Sequence, residues 1–246
     1  MLEPHAPGFH VPAVSAAGKQ KGTTTPVLVL PPAAPDATPS VVDDSAAILR
    51  WVDGRAPPAA PRLFPPAHAE EVASLCARFD EHVGPAARLW VYSHALETAD
   101  VNAALTADPV PSHERFLWHY AGVGYLVRRL MCSGLGVDRA AGDAALDVLR
   151  REFAHVSERL SDGRSFLCGD AFSAADLTFA ALAAPALGVA YGDAPPWQTE
   201  ASAAAKPPAL RAAEDELRAT PAGAFALRMF ERERRRVVVE TPPSQS

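Results

Sequence analysis

Apolar positions in the later two-thirds of the chain step by three and four. Val72, Leu75, Phe79 and Val83 form one such stripe, and Leu146, Leu149, Phe153, Val156 and Leu160 form another. That spacing predicts amphipathic helices, each with one buried face. Gly84-Pro85 interrupts the first stripe, so a kink or an end is expected there, with Leu89, Tyr92 and Leu96 continuing beyond it. Ser112 is placed to cap a helix running to Gly134, with Phe116, Tyr120, Val123, Val127 and Leu130 as its apolar stripe. Asp162-Gly163 stops the Leu146–Leu160 helix. Leu210, Ala213 and Leu217 mark one more helix, and Phe225–Arg235 a last one after Pro221.

The first sixty residues read differently. Met1–Gly22 has little apolar periodicity and holds Pro4, Pro7, Gly8, Pro12 and Gly18, so irregular chain or one weak helical turn is expected. Val27-Leu28-Val29-Leu30, entered through Thr25-Pro26, predicts a short strand, and Val41-Val42 a second. Asp43-Asp44-Ser45 opens a helix with Ile48, Leu49 and Val52 on one face, ending near Asp53-Gly54. Arg55–Pro66 is rich in proline and forms the best boundary in the chain. The expected organisation is a strand-containing piece over 1–54, a linker over 55–66, an all-helical domain over 67–236 and a disordered tail over 237–246.

Composition narrows the function. The 246 residues carry a net charge of −6, which argues against nucleic acid as a partner. The basic run Arg232–Arg236, broken by Glu233, reads as positive charge at a helix C-terminus. Cys76, Cys132 and Cys168 form no CxxC pair and no metal spacing, so no metal is expected. Cys76 and Cys132 lie in helical patterns and read as buried thiols. An odd count without a disulfide framework fits a reducing, cytoplasmic compartment. There is no secretory apolar region and no stretch long enough to span a bilayer, so no membrane partner is expected.

The most specific run is Arg164-Ser165-Phe166-Leu167-Cys168-Gly169-Asp170-Ala171-Phe172-Ser173-Ala174-Ala175-Asp176-Leu177. Ser173 stands at an N-cap and Asp176 three residues later, the spacing of a capping box. Phe172 and Leu177 are placed as the hydrophobic staple. Leu177–Leu187 is apolar nearly all round, which predicts a helix surrounded by others.

This run resembles the C-terminal domain of the glutathione transferase family. Thr25-Pro26-Val27-Leu28-Val29 resembles that family's segment in which a cis-proline precedes a strand, and Asp44-Ser45-Ala46-Ala47-Ile48-Leu49 its acidic-Ser helix start. The resemblance implies a mainly-α protein: an incomplete thioredoxin-like α/β domain followed by an all-helical domain. It also implies glutathione as co-substrate, a hydrophobic electrophile and a homodimer. Carried over, Val27 supplies the backbone contact and Asp44 and Ser45 the side-chain contacts to glutathione. A strand edge pairs with an extended tripeptide, and a helix N-terminus with a hydroxyl suits the γ-glutamyl carboxylate. Asp44 suits its ammonium.

The family's catalytic Ser, Tyr or Cys stands at the end of a first strand, and no strand–helix–strand is readable before Thr25. Ser15, the only Ser there, lacks that context, so the catalytic residue is unassigned. Two activities remain open: conjugation of glutathione to hydrophobic electrophiles where the catalytic segment is supplied, or a non-catalytic binding or scaffold role. Trp118, His119 and Tyr120, like Trp90, Tyr92 and His94, read as ordinary helix residues rather than cleft residues.

Overall fold

The computed structural model describes residues 5–6, 8–18, 22, 25–31, 40–95, 110–120, 122–189 and 206–234. The expected tail over 237–246 and the stripe position Leu96 lie outside them. A helix α1 (His10–Ala16) precedes strands β1 (Val27–Leu30) and β2 (Ser40–Asp43). Helix α2 (Ser45–Asp53) follows, then a single 3-10 turn at Pro66–His68 and the long α3 (Ala69–Ala95). The next helices are α4 (Ser112–Tyr120), α5 (Val123–Leu135) and α6 (Arg139–Arg159). The series closes with α7 (Ala174–Ala183), α8 (Pro208–Arg218) and α9 (Pro221–Arg232). The fold is mainly α, with a short α/β piece ahead of a helical bundle. Where irregular chain or one weak helical turn is expected, α1 makes nearly two turns over His10–Ala16.

The bundle is built on α3, which packs along α6 and α7, while α9 covers α7 and α6. Each of four helices contributes one phenylalanine to its centre. Phe179 of α7 lies 5.1 Å from Phe79 of α3, 5.4 Å from Phe153 of α6 and 6.4 Å from Phe225 of α9, centroid to centroid. Tilted contacts at these distances let ring edges meet ring faces. All four rings are fully buried. The predicted stripes of α3, α6 and α8 therefore face this core.

Gly84-Pro85 does not end α3, which runs unbroken to Ala95. Gly84 has a packing reason: a methyl there would come within 3.1 Å of Leu182 on α7. Beyond Pro85 the deeply buried residues are Ala86, Ala87 and Trp90, whereas Leu89 and Tyr92 are only half-buried. The stripe keeps its 3.6-residue phase and moves off the two expected positions.

The 112–134 region departs further from expectation. Gly122, at φ +69°, breaks it into α4 and α5, which pack against each other. Three of the five predicted stripe positions then point to solvent: Phe116 is 60% exposed, Tyr120 80% and Leu130 62%, while Val123 and Val127 are half-buried. The apolar spacing is helical, but periodicity does not say what covers the face.

Asp138 caps α6 by accepting the Ala141 N–H at 2.7 Å. Thr220 caps α9 through the Gly223 N–H at 3.0 Å. Arg218 of α8 donates to the Leu187 and Gly188 carbonyls at 2.7 and 2.9 Å, closing the turn that follows α7.

Candidate functional site at the β1–α2 corner

Val27, Asp44 and Ser45 meet at one corner of the α/β piece. The strands pair antiparallel with Val27 opposite Asp43, the residue before the α2 N-cap Asp44. Such partners stand about 5 Å apart across the ladder. The Thr25–Pro26 bond that leads into β1 is cis. Among the described residues β1 has one strand neighbour, β2.

Asp44 is the N-cap of α2, and its Oδ1 accepts the Ala46 N–H at 3.0 Å. Its backbone lies at φ 78°, ψ 133°, the one positive φ outside glycine among the described residues. Conformations of that kind cost about 1–3 kcal/mol and persist where the surroundings impose them. The Ser45 hydroxyl lies 3.4 Å from Asp44 Oδ1, and both side chains are exposed. The corner thus offers a carboxylate, a hydroxyl, a helix N-terminus and a strand end.

A second carboxylate faces this corner. Burial, together with the Asp44 charge, holds Asp80 of α3 above the usual carboxylate range. About one turn earlier on α3, burial pushes up the Cys76 thiol, which also feels the Arg50 charge of α2. Arg50 also sits 5.2 Å over the Phe64 ring. Asp80 had no signal in the sequence, because it occupies an ordinary polar position beside an apolar stripe.

What fixes α2 to the bundle is the Pro-rich linker. The Asp53 carboxylate accepts the Leu63 N–H at 2.7 Å and approaches the Phe64 N–H at 3.4 Å. Arg62 donates back to the Asp53 carbonyl. An aspartate at a helix C-terminus works against the macrodipole, and these contacts explain why one stands there. The Leu63 carbonyl in turn accepts the Ala174 N–H of α7 at 2.8 Å. Ala174 opens α7, so this bond satisfies an N–H that the helix cannot serve itself.

The α7 capping box completes the chain of contacts. Both halves of the box are in place, and its short contacts fall on Asp176. That carboxylate accepts the Ser173 N–H and hydroxyl, each at 2.7 Å, and the Leu167 N–H at 2.7 Å. Ser173 and Asp176 are both fully buried. Burial raises the Asp176 carboxyl, and the three donors pull it back. Ser173 and Asp176 are therefore architectural residues that hold the 165–172 loop, next to the Ala174 N–H that binds Leu63 and, through it, the C-terminal end of α2. Phe172 and Leu177 line one small groove with Met229 and Phe230 of α9.

The remaining sequence candidates lie elsewhere. Ser15 is exposed within α1, not on a strand-to-helix turn. His119 is exposed on α4. His94 is half-buried, within 3.1 Å of the Trp90 carbonyl and 2.9 Å of the Ser93 hydroxyl. Burial lowers its pKa. Burial raises the thiols of Cys76 and Cys168, so neither is primed as a nucleophile. Cys132 is only half-buried, short of the expected burial. Among the described residues, no group of three or more His, Cys, Asp or Glu could hold a metal ion, and no helix is long and apolar enough to cross a membrane.

No curated protein and no solved structure matches the chain. Residues 139–212, from the start of α6 through the α7 capping box into α8, match the family model of the glutathione S-transferase C-terminal domain. The helical bundle thus contains a stretch similar to the glutathione S-transferase C-terminal domain, which supports an assignment to that family.

Proposed function

We propose that this glutathione S-transferase-like chain binds glutathione at the β1–α2 corner. The backbone of Val27 pairs with the extended tripeptide, Ser45 and the α2 N-terminus take the γ-glutamyl carboxylate, and Asp44 takes its ammonium. The supporting observation is the register that sets Val27 opposite Asp43 and so beside both side chains. The residues fit the co-substrate chemically: a carboxylate meets an ammonium, a helix N-terminus meets a carboxylate, and a strand meets an extended peptide.

In this reading glutathione is the nucleophile toward a small hydrophobic electrophile, and the protein is a cytoplasmic homodimer. Its own residues bind and orient the tripeptide; the thiolate-stabilising group is unassigned. A non-catalytic binding role is the second reading, favoured by the helical placement of Ser15. Calorimetric titration of glutathione tests the first step. Weak binding is expected, and it disappears in an Asp44→Ala, Ser45→Ala double variant. Equal affinity in that variant would show that the corner is not the site. Turnover of an aromatic electrophile by the chain separates conjugation from the binding role.

A further inference from the structure

We infer that the outer face of the α4–α5 hairpin docks on an anionic lipid surface, without crossing it. Of the nine large apolar side chains exposed among the described residues, six lie on this hairpin, so they form a patch rather than the usual scatter. Phe116, Leu117 and Tyr120 occupy about a third of the circumference of α4. Tyr125, Leu126 and Leu130 lie on one side of α5, and Arg129 stands exposed among them. The Phe116 and Tyr120 rings stack in the open at 5.1 Å. The inner faces are already occupied: Trp118 is buried, and a methyl at Gly124 would come within 2.6 Å of its indole. The exposed strips are therefore the outer sides of a packed pair.

Charge selects the partner. The chain carries 29 acidic residues against 23 basic ones. From Val110 to Val137, however, the one carboxylate is Glu114, which is buried and held by His5 and the Ala6 N–H. This stretch of an acidic protein thus turns no acid to solvent. Arg115 and Arg128 belong to it and have contacts of their own, so the cation that the face presents is Arg129. A second copy of the chain fits poorly. Across a two-fold axis the patch would meet itself, and Arg129 would find no exposed carboxylate on it. A lipid surface answers both features. Tyrosines settle at headgroup level, Phe and Leu enter the acyl boundary, and an arginine among them lays its stem on apolar groups with its guanidinium at a phosphate. Attachment of this kind needs no spanning helix, and no described helix is long and apolar enough to span.

Co-sedimentation of the full chain with lipid vesicles tests this. Phosphatidylcholine vesicles with about one-third phosphatidylserine should retain the chain about tenfold more strongly than phosphatidylcholine alone, and high salt should shrink the difference. A Tyr120→Ser, Leu130→Ser double variant should lower partition onto the mixed vesicles by about tenfold or more, and Arg129→Glu by about as much. All three positions are exposed, so the melting temperature should hold, and a lost signal then means lost docking. Failure of the mixed vesicles to retain the wild type would overturn the inference. Equal retention by both kinds of vesicle would also overturn it, as would equal retention of the wild type and the double variant. A wild-type dimer that binds no vesicle and becomes a monomer in the double variant would overturn it in favour of a second copy on this face.

Discussion

Helices α7 and α2 are of similar length and stand in opposite situations. Seven of the ten residues of α7 are buried, and none of the nine residues of α2 is. α7 is enclosed by α3, α6 and α9 and carries the central ring of the core. α2 touches a two-stranded sheet and leans on the bundle core through partly buried Leu49. The difference shows how the chain divides its tasks. The bundle is held by apolar burial, which is strong and non-directional. The corner proposed to bind glutathione is held by directed polar contacts: Asp53 to the linker, and the linker to α7. A site carried this way keeps its donors and acceptors at the surface, at the cost of a core of its own.

The comparison breaks most easily at the centre of the bundle. Phe179→Ala should destabilise by about 3–5 kcal/mol, since the ring touches three others and little can collapse into the space. Leu49→Ala on α2 should cost about 1 kcal/mol. Chemical denaturation of both variants measures the contrast, and equal losses would abolish it. Next comes the capping box. Asp176→Ala strands the buried N–H groups of Ser173 and Leu167 and should cost about 3 kcal/mol. Ser173→Ala leaves both N–H bonds to Asp176 and should cost about 1 kcal/mol. A Ser173→Ala loss as large as that of Asp176→Ala would mean that the hydroxyl, not the carboxylate, organises the loop.

The smallest effect concerns pH. Burial depresses the His94 pKa below its usual 6.5. The unfolded chain then takes up a proton at His94 more readily than the folded one. Stability from this group is complete above pH 6.5 and is lost as pH falls from there through the folded-state value. His94→Gln should flatten the fall in melting temperature over that window. A variant with the same slope as the wild type would remove His94 from the account.

Much of this architecture was legible in the sequence, for a physical reason. Burial of a helix face leaves a period of 3.6 in the residues themselves, so α3, α6 and α8 could be placed from Phe79, Phe153 and Leu217 and their neighbours. Ser173 and Asp176 were visible because a capping box is local. The exposure of the α4–α5 hairpin was not legible, because Phe116, Tyr120 and Leu130 have the same helical spacing as a covered face. Asp80, the Asp53–Leu63 contact and the His5–Glu114 contact were invisible because they join residues distant in sequence or hidden in a Pro-rich stretch. Nothing in the local pattern of Arg55–Pro66 signals that Leu63 bonds on both sides of its peptide unit. The residues of the corner itself, Val27, Asp44 and Ser45, were named from a resemblance; their adjacency follows from the strand register.

The measurement that bears most directly on the division between core and site is glutathione titration of Asp53→Ala alongside its thermal melt. Removing that carboxylate frees the Leu63 and Phe64 N–H groups and unclasps α2 from the linker, while the Phe179 core is untouched. The account predicts a melting temperature within a few degrees of the wild type and a glutathione affinity lower by about tenfold or more, because the corner loses its preorganisation. Unchanged glutathione affinity in Asp53→Ala, or collapse of the bundle with it, would contradict the account.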